Sequence, residues 1–261
     1  ISIRLVGSEM CIRDRVKRPI KLNIHTIILA GGKGTRMLSQ KAKVLQALGG
    51  RTMLNHVLTT ANKISNKISV VVGFDKEGVE EEIKKIGINA NTYLQKEQIG
   101  TADAVKTTLK DIDKNEKILI LYGDVPLIKE ETLKKLCNQE SDLSILTTNL
   151  KNPTGYGRTL KDKENNVLGI IEEKDADSEQ KKIKEIFTGI LVAKGSVLKK
   201  YIPEINNNNS AKEFYLTDLI GIAHKNGFKI NTLSSSNEET AGANNRIAVS
   251  YTHLRAHETY R

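Results

Sequence analysis

Tryptophan is absent from this chain of 261 residues, and the aromatic residues together make up 4% of it. Platforms on which nucleic-acid bases could stack are therefore scarce. Cysteine occurs twice, at Cys11 and Cys137. Two isolated thiols can build neither a disulfide framework nor a zinc site, and they fit a reducing compartment, where they would be inert. No apolar run approaches the roughly 18 residues that a membrane span needs. No charged segment followed by an apolar stretch and a small-residue cleavage site appears, so export is not indicated. Internal repeats and clear linkers are also missing. Negative charge is in deficit, leaving a formal net charge of +10. The cations are interleaved with acids, as in Glu80-Glu81-Glu82 ahead of Lys84-Lys85. A solvated lysine-rich surface explains this better than a nucleic-acid footprint. A phosphorylated substrate needs only a local positive field.

The two ends carry an unexpected relation. One coding of residues 5–14 is CTC GTG GGC TCG GAG ATG TGT ATA AGA GAC. Its reverse complement in the same codon register reads Val-Ser-Tyr-Thr-His-Leu-Arg-Ala-His-Glu, which is the sequence of residues 249–258. Unrelated peptides are not expected to be opposite-strand translations of one DNA segment. The termini resemble a translated transposon-derived library adapter. We therefore expect residues 1–15 and 249–261 to stand outside the fold, one folded domain to occupy 16–248, and the natural protein to continue beyond it. Without its tails the chain carries +8, and Cys11, His253 and His257 lose any claim to function.

Between the tails, short apolar runs alternate with helical periodicity. Strands are expected over 27–29, 68–73, 91–94, 117–122 and 143–150, with helices over 52–64, 76–86, 101–109 and 129–137. This alternation predicts a doubly wound, mostly parallel, Rossmann-like α/β sheet. The second half is more mixed. Antiparallel strands are expected over 156–160 and 167–173 around a turn at Asn165-Asn166, then a strand over 186–193 and a helix over 214–226. They suggest a smaller mixed β region.

The run Leu29-Ala30-Gly31-Gly32-Lys33-Gly34-Thr35-Arg36-Met37 closes the first strand. Glycines can turn backbone N–H groups toward a phosphate with no Cβ in the way, and Lys33 and Arg36 place two cations at its lip. A P-loop would need Ser or Thr after Lys33, where Gly34 stands, and a dinucleotide fingerprint would need a third glycine where Met37 stands. In open α/β sheets ligands lie beyond the carboxyl ends of the strands. Asp124 closes the strongest strand at that same edge. It is a natural hard ligand for Mg²⁺ among phosphates, or alternatively the N-cap of the helix that follows.

These segments, with Lys43-Val44-Leu45, Leu94-Gln95-Lys96-Glu97-Gln98-Ile99-Gly100-Thr101-Ala102 and the LYGDVPL stretch at 121–127, resemble sugar-nucleotide pyrophosphorylases. Three later segments narrow the resemblance: Asn152-Pro153-Thr154-Gly155-Tyr156-Gly157-Arg158, Ile170-Ile171-Glu172-Glu173-Lys174-Asp175-Ala176 and Gly242-Ala243-Asn244-Asn245-Arg246. In order and spacing the set is similar to the uridylyltransferase domain of bacterial bifunctional N-acetylglucosamine-1-phosphate uridylyltransferase/glucosamine-1-phosphate acetyltransferase. The resemblance implies a fold of the nucleotide-diphospho-sugar transferase type. It implies that UTP and N-acetylglucosamine 1-phosphate give UDP-N-acetylglucosamine and pyrophosphate in the cytoplasm, feeding cell-wall precursor synthesis. Arg36 and Lys43 would be catalytic, and Asp124 and Asn244 would hold Mg²⁺. Leu29, Ala30, Gly31, Gly32, Lys33 and Lys43 would line the phosphate path, with Tyr122, Gly123 and Asp124 beside them. Gln95, Gly100 and Thr101 would take the uracil, and Gly157, Glu172, Phe187 and Asn244 would face the sugar side.

Three positions depart from the family pattern. Ala42 stands where a proline usually precedes the catalytic lysine, which predicts a less rigid loop. Gly31 replaces a common alanine. Phe187 replaces an asparagine that contacts the sugar, and phenylalanine cannot make that hydrogen bond. Two other readings therefore stand beside the first: a transferase for a different sugar or nucleotide, and an inactive nucleotide-sugar-binding domain. Retention of Arg36, Lys43, Asp124 and Asn244 argues against the second. The family's left-handed β-helix acetyltransferase domain, which builds its homotrimer, has no hexapeptide repeats to represent it here. No nucleic acid and no membrane insertion are expected, and this chain alone is expected to be a monomer.

Overall fold

The first strand, β1 (Ile24–Leu29), runs three residues further upstream than its apolar core suggests. The extra length is polar only in appearance. His25 and Thr26 are fully buried, with His25 Nε2 2.7 Å from Ser69 Oγ and Thr26 Oγ1 bonded to Ser65 Oγ. Burial lowers the His25 pKa to about 4, so the ring sits neutral in the sheet. The computed structural model describes residues 23–34 and 41–242. The expected terminal tails lie outside those residues, as do Arg36 and Asn244.

Each apolar run of the first half becomes a strand and each periodic segment a helix. After β1 come two short strands, β2 (Ala47–Leu48) and β3 (Arg51–Thr52), which pair with each other. They are followed by α1 (Met53–Ile64), β4 (Lys67–Val72), α2 (Lys76–Ile86), β5 (Asn91–Leu94), α3 (Thr101–Lys106), β6 (Lys117–Tyr122) and α4 (Glu130–Cys137). The Thr52 hydroxyl accepts from Asn55 N at 3.1 Å and so caps α1. The second half supplies β7 (Leu143–Asn149), β8 (Arg158–Lys161), β9 (Val167–Ile171), β10 (Glu185–Lys194), α5 (Gly195–Tyr201), α6 (Asp218–Lys225), β11 (Ile230–Ser234) and α7 (Asn237–Thr240).

Among the described residues, nine strands join one sheet along the path β11-β7-β10-β6-β1-β4-β5, with the β8–β9 hairpin attached to β10. Strands β6, β1, β4 and β5 are parallel, as are β7 and β11; β10 is reversed between β6 and β7. The mixed β region is thus part of the main sheet, joined where Ile186 pairs with Arg158.

Side chains alternate across the strands. Ile24 and Ile28 of β1, with Leu119 and Leu121 of β6, meet α1, α2 and α4 on one face. Ile27, Ile118 and Ile120 meet α3, α5 and α6 on the other. Cys137 is buried in the first layer, and burial raises its thiol pKa to about 12, so it is inert as expected. Among the described residues no helix is long and apolar enough to cross a membrane.

One expected element is displaced. The helix anticipated over 214–226 starts only at Asp218. Phe214 lies outside any helix instead: its N–H donates to Ile99 O (2.8 Å) and its carbonyl accepts from Ala102 N (2.9 Å). This places Phe214 backbone against Gly100, where an added Cβ would lie 2.3 Å from Phe214 O, at a φ of +139°. Glycine is required there on both counts.

Leu119 is 0% exposed and Leu94 45%. Leu119→Ala should lower unfolding free energy by about 2–5 kcal/mol, whereas Leu94→Ala should stay within about 0.5 kcal/mol of the parent. Urea denaturation midpoints check both; equal shifts would contradict this assignment of the core.

Candidate active site

The first residues beyond β1, β6 and β5 are held by the strands beside them. Ala30 N donates to Val71 O (2.9 Å), Gly123 N to Leu29 O (3.0 Å) and Gln95 N to Val72 O (2.8 Å). Ala30, Gly123 and Gln95 therefore sit within one residue of the same level along the carboxyl edge. This is where the chain leaves β1 for β4 on one side and where β6 lies on the other, the switch point of an open α/β sheet.

A cavity of about 230 Å³ opens there. Its walls include Leu29, Ala30, Gly31, Gly32, Lys43, Gln95, Gly100, Thr101, Tyr122 and Asp124. Val44, Gln98, Ala104 and Glu213 also line it; Val44 and Gln98 lie in the motif segments, but none of the four is among the expected site residues. A second cavity of about 230 Å³ adjoins it through shared Tyr122 and Asp124. Gly157, Glu172 and Phe187 line this one, with Tyr156, Thr188 and Thr217 among their neighbours. Expected site residues more than 140 positions apart, from Leu29 to Phe187, thus gather in two joined lobes.

Asp124 and Lys43 meet at the junction in an ion pair. Lys43 opens a single 3-10 turn, Lys43–Leu45, whose Val44 is buried against the sheet. Asp124 is not a helix cap, because α4 begins only at Glu130 with Lys129 as its N-cap. Lys33 is exposed, and its ammonium lies 5.4 Å from the centre of the Phe74 ring rather than on the cavity wall. Burial raises the Tyr122 pKa, so its phenol keeps its proton.

The far lobe is shaped by a break in β10. Its register against β7 shifts between Phe187 and Leu191. Within that break Gly189 takes a φ of +90°, and an added Cβ would lie 2.7 Å from the Tyr122 ring, so β10 backbone lies flat against that ring. Glu172, one residue past β9, is half-buried. Burial raises its pKa, and Oε1 accepts from Thr217 Oγ1 at 2.9 Å. The neighbouring Arg158 is 1% exposed. Its guanidinium donates to Tyr156 O and to Glu173 Oε2 (2.6 Å), while Gly155 N donates to the same Glu173 oxygen (3.2 Å). That strut fixes the turn presenting Gly157. Phe187 is buried in the core layer that α6 covers and also lines the cavity.

Ala42 gives the Lys43 loop a tie that proline could not make. Its N–H, which a proline would lack, donates to Asp75 Oδ2 at 2.9 Å. Asp75 holds a φ of +55° just before α2, a conformation non-glycine residues adopt rarely. Asp75 escaped the sequence reading because it lies 33 residues from Ala42.

Residues 26–178 match the MobA-like NTP transferase domain, and the chain belongs to that family. It is similar to the bifunctional protein GlmU of Ruthia magnifica subsp. Calyptogena magnifica, at 44% identity over 228 residues, covering 86% of this chain and 50% of that protein. It is also similar to the bifunctional protein GlmU of Buchnera aphidicola subsp. Schizaphis graminum (strain Sg), at 43% identity over 236 residues, covering 88% and 50%. The chain thus spans about half the length of the curated relatives it matches. Among solved structures, a Bacillus anthracis protein provisionally described as a glucose-1-phosphate thymidylyltransferase, in complex with a sucrose, superposes with a TM-score of 0.72 at 19% identity. That match covers 89% of this chain and 95% of the other, and it speaks for the fold.

The φ of Ala42, −52°, suits proline. In the parent chain Ala42→Pro should nevertheless cost about 1–3 kcal/mol, by removing the N–H and pressing its ring on the Asp75 carboxylate. In an Asp75→Ala background the same proline should be neutral or stabilise by about 0.4–1 kcal/mol. Denaturation midpoints of the four proteins check this reversal of sign; a proline effect of the same sign in both backgrounds contradicts it.

Proposed function

We propose that this chain transfers a uridylyl group from UTP to N-acetylglucosamine 1-phosphate, giving UDP-N-acetylglucosamine and pyrophosphate. The observation that carries the reading is the pair of lobes meeting at Tyr122 and Asp124 with Lys43 at the junction. Two phosphorylated substrates entering from opposite sides would bring their phosphates together there. The GlmU relatives support the same reading for the half of their length that the chain spans.

In this reading the sugar phosphate oxygen attacks the α-phosphorus of UTP, and the bond from that phosphorus to the bridging oxygen of the β-phosphate breaks. The electron pair leaves on pyrophosphate. The attacking oxygen is already anionic, so no general base is needed. The chain must align the two polyanions and offset the charge spread over the transferring group. Lys43 and Arg36 supply that positive charge. The backbone of residues 29–32 cradles the phosphates, and Lys33 reaches them once it leaves Phe74. Gln95, Gly100 and Thr101 hold the uracil. Gly157 and Glu172 hold the amino sugar, with Asn244 beside them.

A divalent cation fits this donor set. Asp124 and Asn244 offer a carboxylate and an amide oxygen, the hard donors Mg²⁺ takes, and Asp124 already faces a positive charge in Lys43. When bound, Mg²⁺ would neutralise phosphate charge. We assign the activity to the cytoplasm, where its product serves peptidoglycan and lipopolysaccharide precursors. We also infer that the parent protein is a homotrimer through a C-terminal acetyltransferase domain. A different sugar 1-phosphate is the second reading, favoured by Phe187 in the lining of the sugar lobe.

Pyrophosphate release should be fastest with UTP and N-acetylglucosamine 1-phosphate when NTPs and sugar 1-phosphates are crossed in Mg²⁺; no release with that pair would refute the reading. Phe187→Asn should lower KM for the amino sugar phosphate by roughly tenfold, the value of about one added hydrogen bond to a polar ligand. An unchanged KM would remove Phe187 from the specificity argument.

A further inference from the structure

The base lobe contains an amide whose orientation is fixed by a residue outside the recognised motifs. Gln95 is 5% exposed. Its side-chain nitrogen donates to the Gly100 carbonyl and to Asp103 Oδ2, both at 2.9 Å. Each partner is an oxygen with no proton to offer, so both N–H groups are engaged and the amide cannot turn over without setting oxygen against oxygen. The amide assignment, often ambiguous, follows here from its partners alone. Oε1 is left on the opposite side, beside Gly31, where an added Cβ would lie 3.2 Å away. Gly31, Gln95, Gly100 and Thr101 line one cavity, to which Gln95 therefore presents an acceptor and no donor.

Asp103 is itself held. It occupies the first turn of α3, where a carboxylate is favoured by the helix dipole. The turn is pinned by Ala102 N on Phe214 O and by Ala104 N on Gly100 O. The partners of Gln95 thus stand on a clamped segment.

The geometry points to Asp103 as the positioning residue that makes Gln95 an acceptor-only reader of the nucleobase, and so selects an imide-bearing pyrimidine over cytosine. This rests on the reading that the lobe takes the base of a nucleotide. Uracil and thymine carry a proton on N3 and can donate it to Oε1. Cytosine carries a lone pair on N3, so two acceptors would face each other. Turning the amide to suit cytosine would direct Oε1 at the Gly100 carbonyl and the Asp103 carboxylate. Sites built around one hydrogen-bonding pattern discriminate strongly because the wrong ligand leaves buried groups unpaired.

The test compares kcat/KM for UTP and CTP in the parent enzyme, Asp103→Asn and Asp103→Ala. Asparagine keeps the shape yet can donate as well as accept, so the amide gains a second orientation. The UTP/CTP ratio should fall at least tenfold in Asp103→Asn, and Asp103→Ala should move it the same way. Loss of folded enzyme lowers both substrates alike and leaves the ratio in place, so a purely structural role would not reproduce the effect. An unchanged ratio in variants of an enzyme that prefers UTP overturns the inference and leaves the proposed function standing. A parent enzyme indifferent to the base would instead count against that function's base assignment, and against this inference with it. Equilibrium binding of UMP and CMP to the same three proteins repeats the comparison without turnover; binding of neither nucleotide to the parent also overturns it.

Discussion

The candidate site depends on how far three parallel strands run before they stop together. In the ladder β4-β1-β6, Leu29 pairs with Val71 on one side and with Tyr122 on the other. The next residue beyond β1 or β6, Ala30 or Gly123, still gives its N–H to the neighbouring strand. Ala30, which opens the glycine loop, and Gly123, which precedes Asp124, are therefore tied to buried strands whose register cannot slip. A one-residue shift would turn Ile28 and Leu119 out of one apolar layer and into the other. The precision with which Lys43 meets Asp124 is thus inherited from hydrophobic burial on both faces of the sheet.

The reversed strand β10 supplies what a purely parallel sheet could not. A parallel neighbour of β6 would end at the carboxyl edge and leave the ring of Tyr122 uncovered. Because β10 runs the other way, it begins at that edge, with its irregular section against Tyr122. Its first residues also anchor the β8–β9 hairpin, which brings Gly157 and Glu172 to the far lobe. The same reversal builds the wall between the lobes and the floor of the second one.

Sequence made the layered fold legible because its signals are local. Continuous apolar runs marked β4 and β6, helical spacing marked α1, and a glycine turn at the end of a strand marked the edge where ligands sit. What escaped depended on partners distant in sequence. The polar start of β1 is buried only because Ser69 and Ser65 receive its side chains. The segment before α6 has helical spacing, but its backbone is committed to the loop at residues 99–102. Strand β11 is only partly buried and polar in composition, so it carried no apolar run to see. Ten of the expected site positions line the near cavity and three more the far one. The residues that orient them, Asp75, Asp103 and Glu173, looked like ordinary surface acids.

Those three acids share a physical role. Each places a carboxylate on a backbone or side-chain donor next to the site: Asp75 on the Ala42 N–H, Asp103 on the Gln95 amide and Glu173 on Arg158 and the Gly155 N–H. A site that must hold polyanions would ordinarily shed nearby negative charge. Here each carboxylate is spent on a donor behind the lining, where its charge is met by hydrogen bonds and it fixes a group that faces the cavity. Asp124 differs because it opens onto the cavity and its partner is a cationic side chain, that of Lys43, which lines the same cavity. The contrast separates carboxylates that build the site from the one whose partner can be exchanged, and it follows from what each carboxylate touches rather than from how many acids surround the cavity.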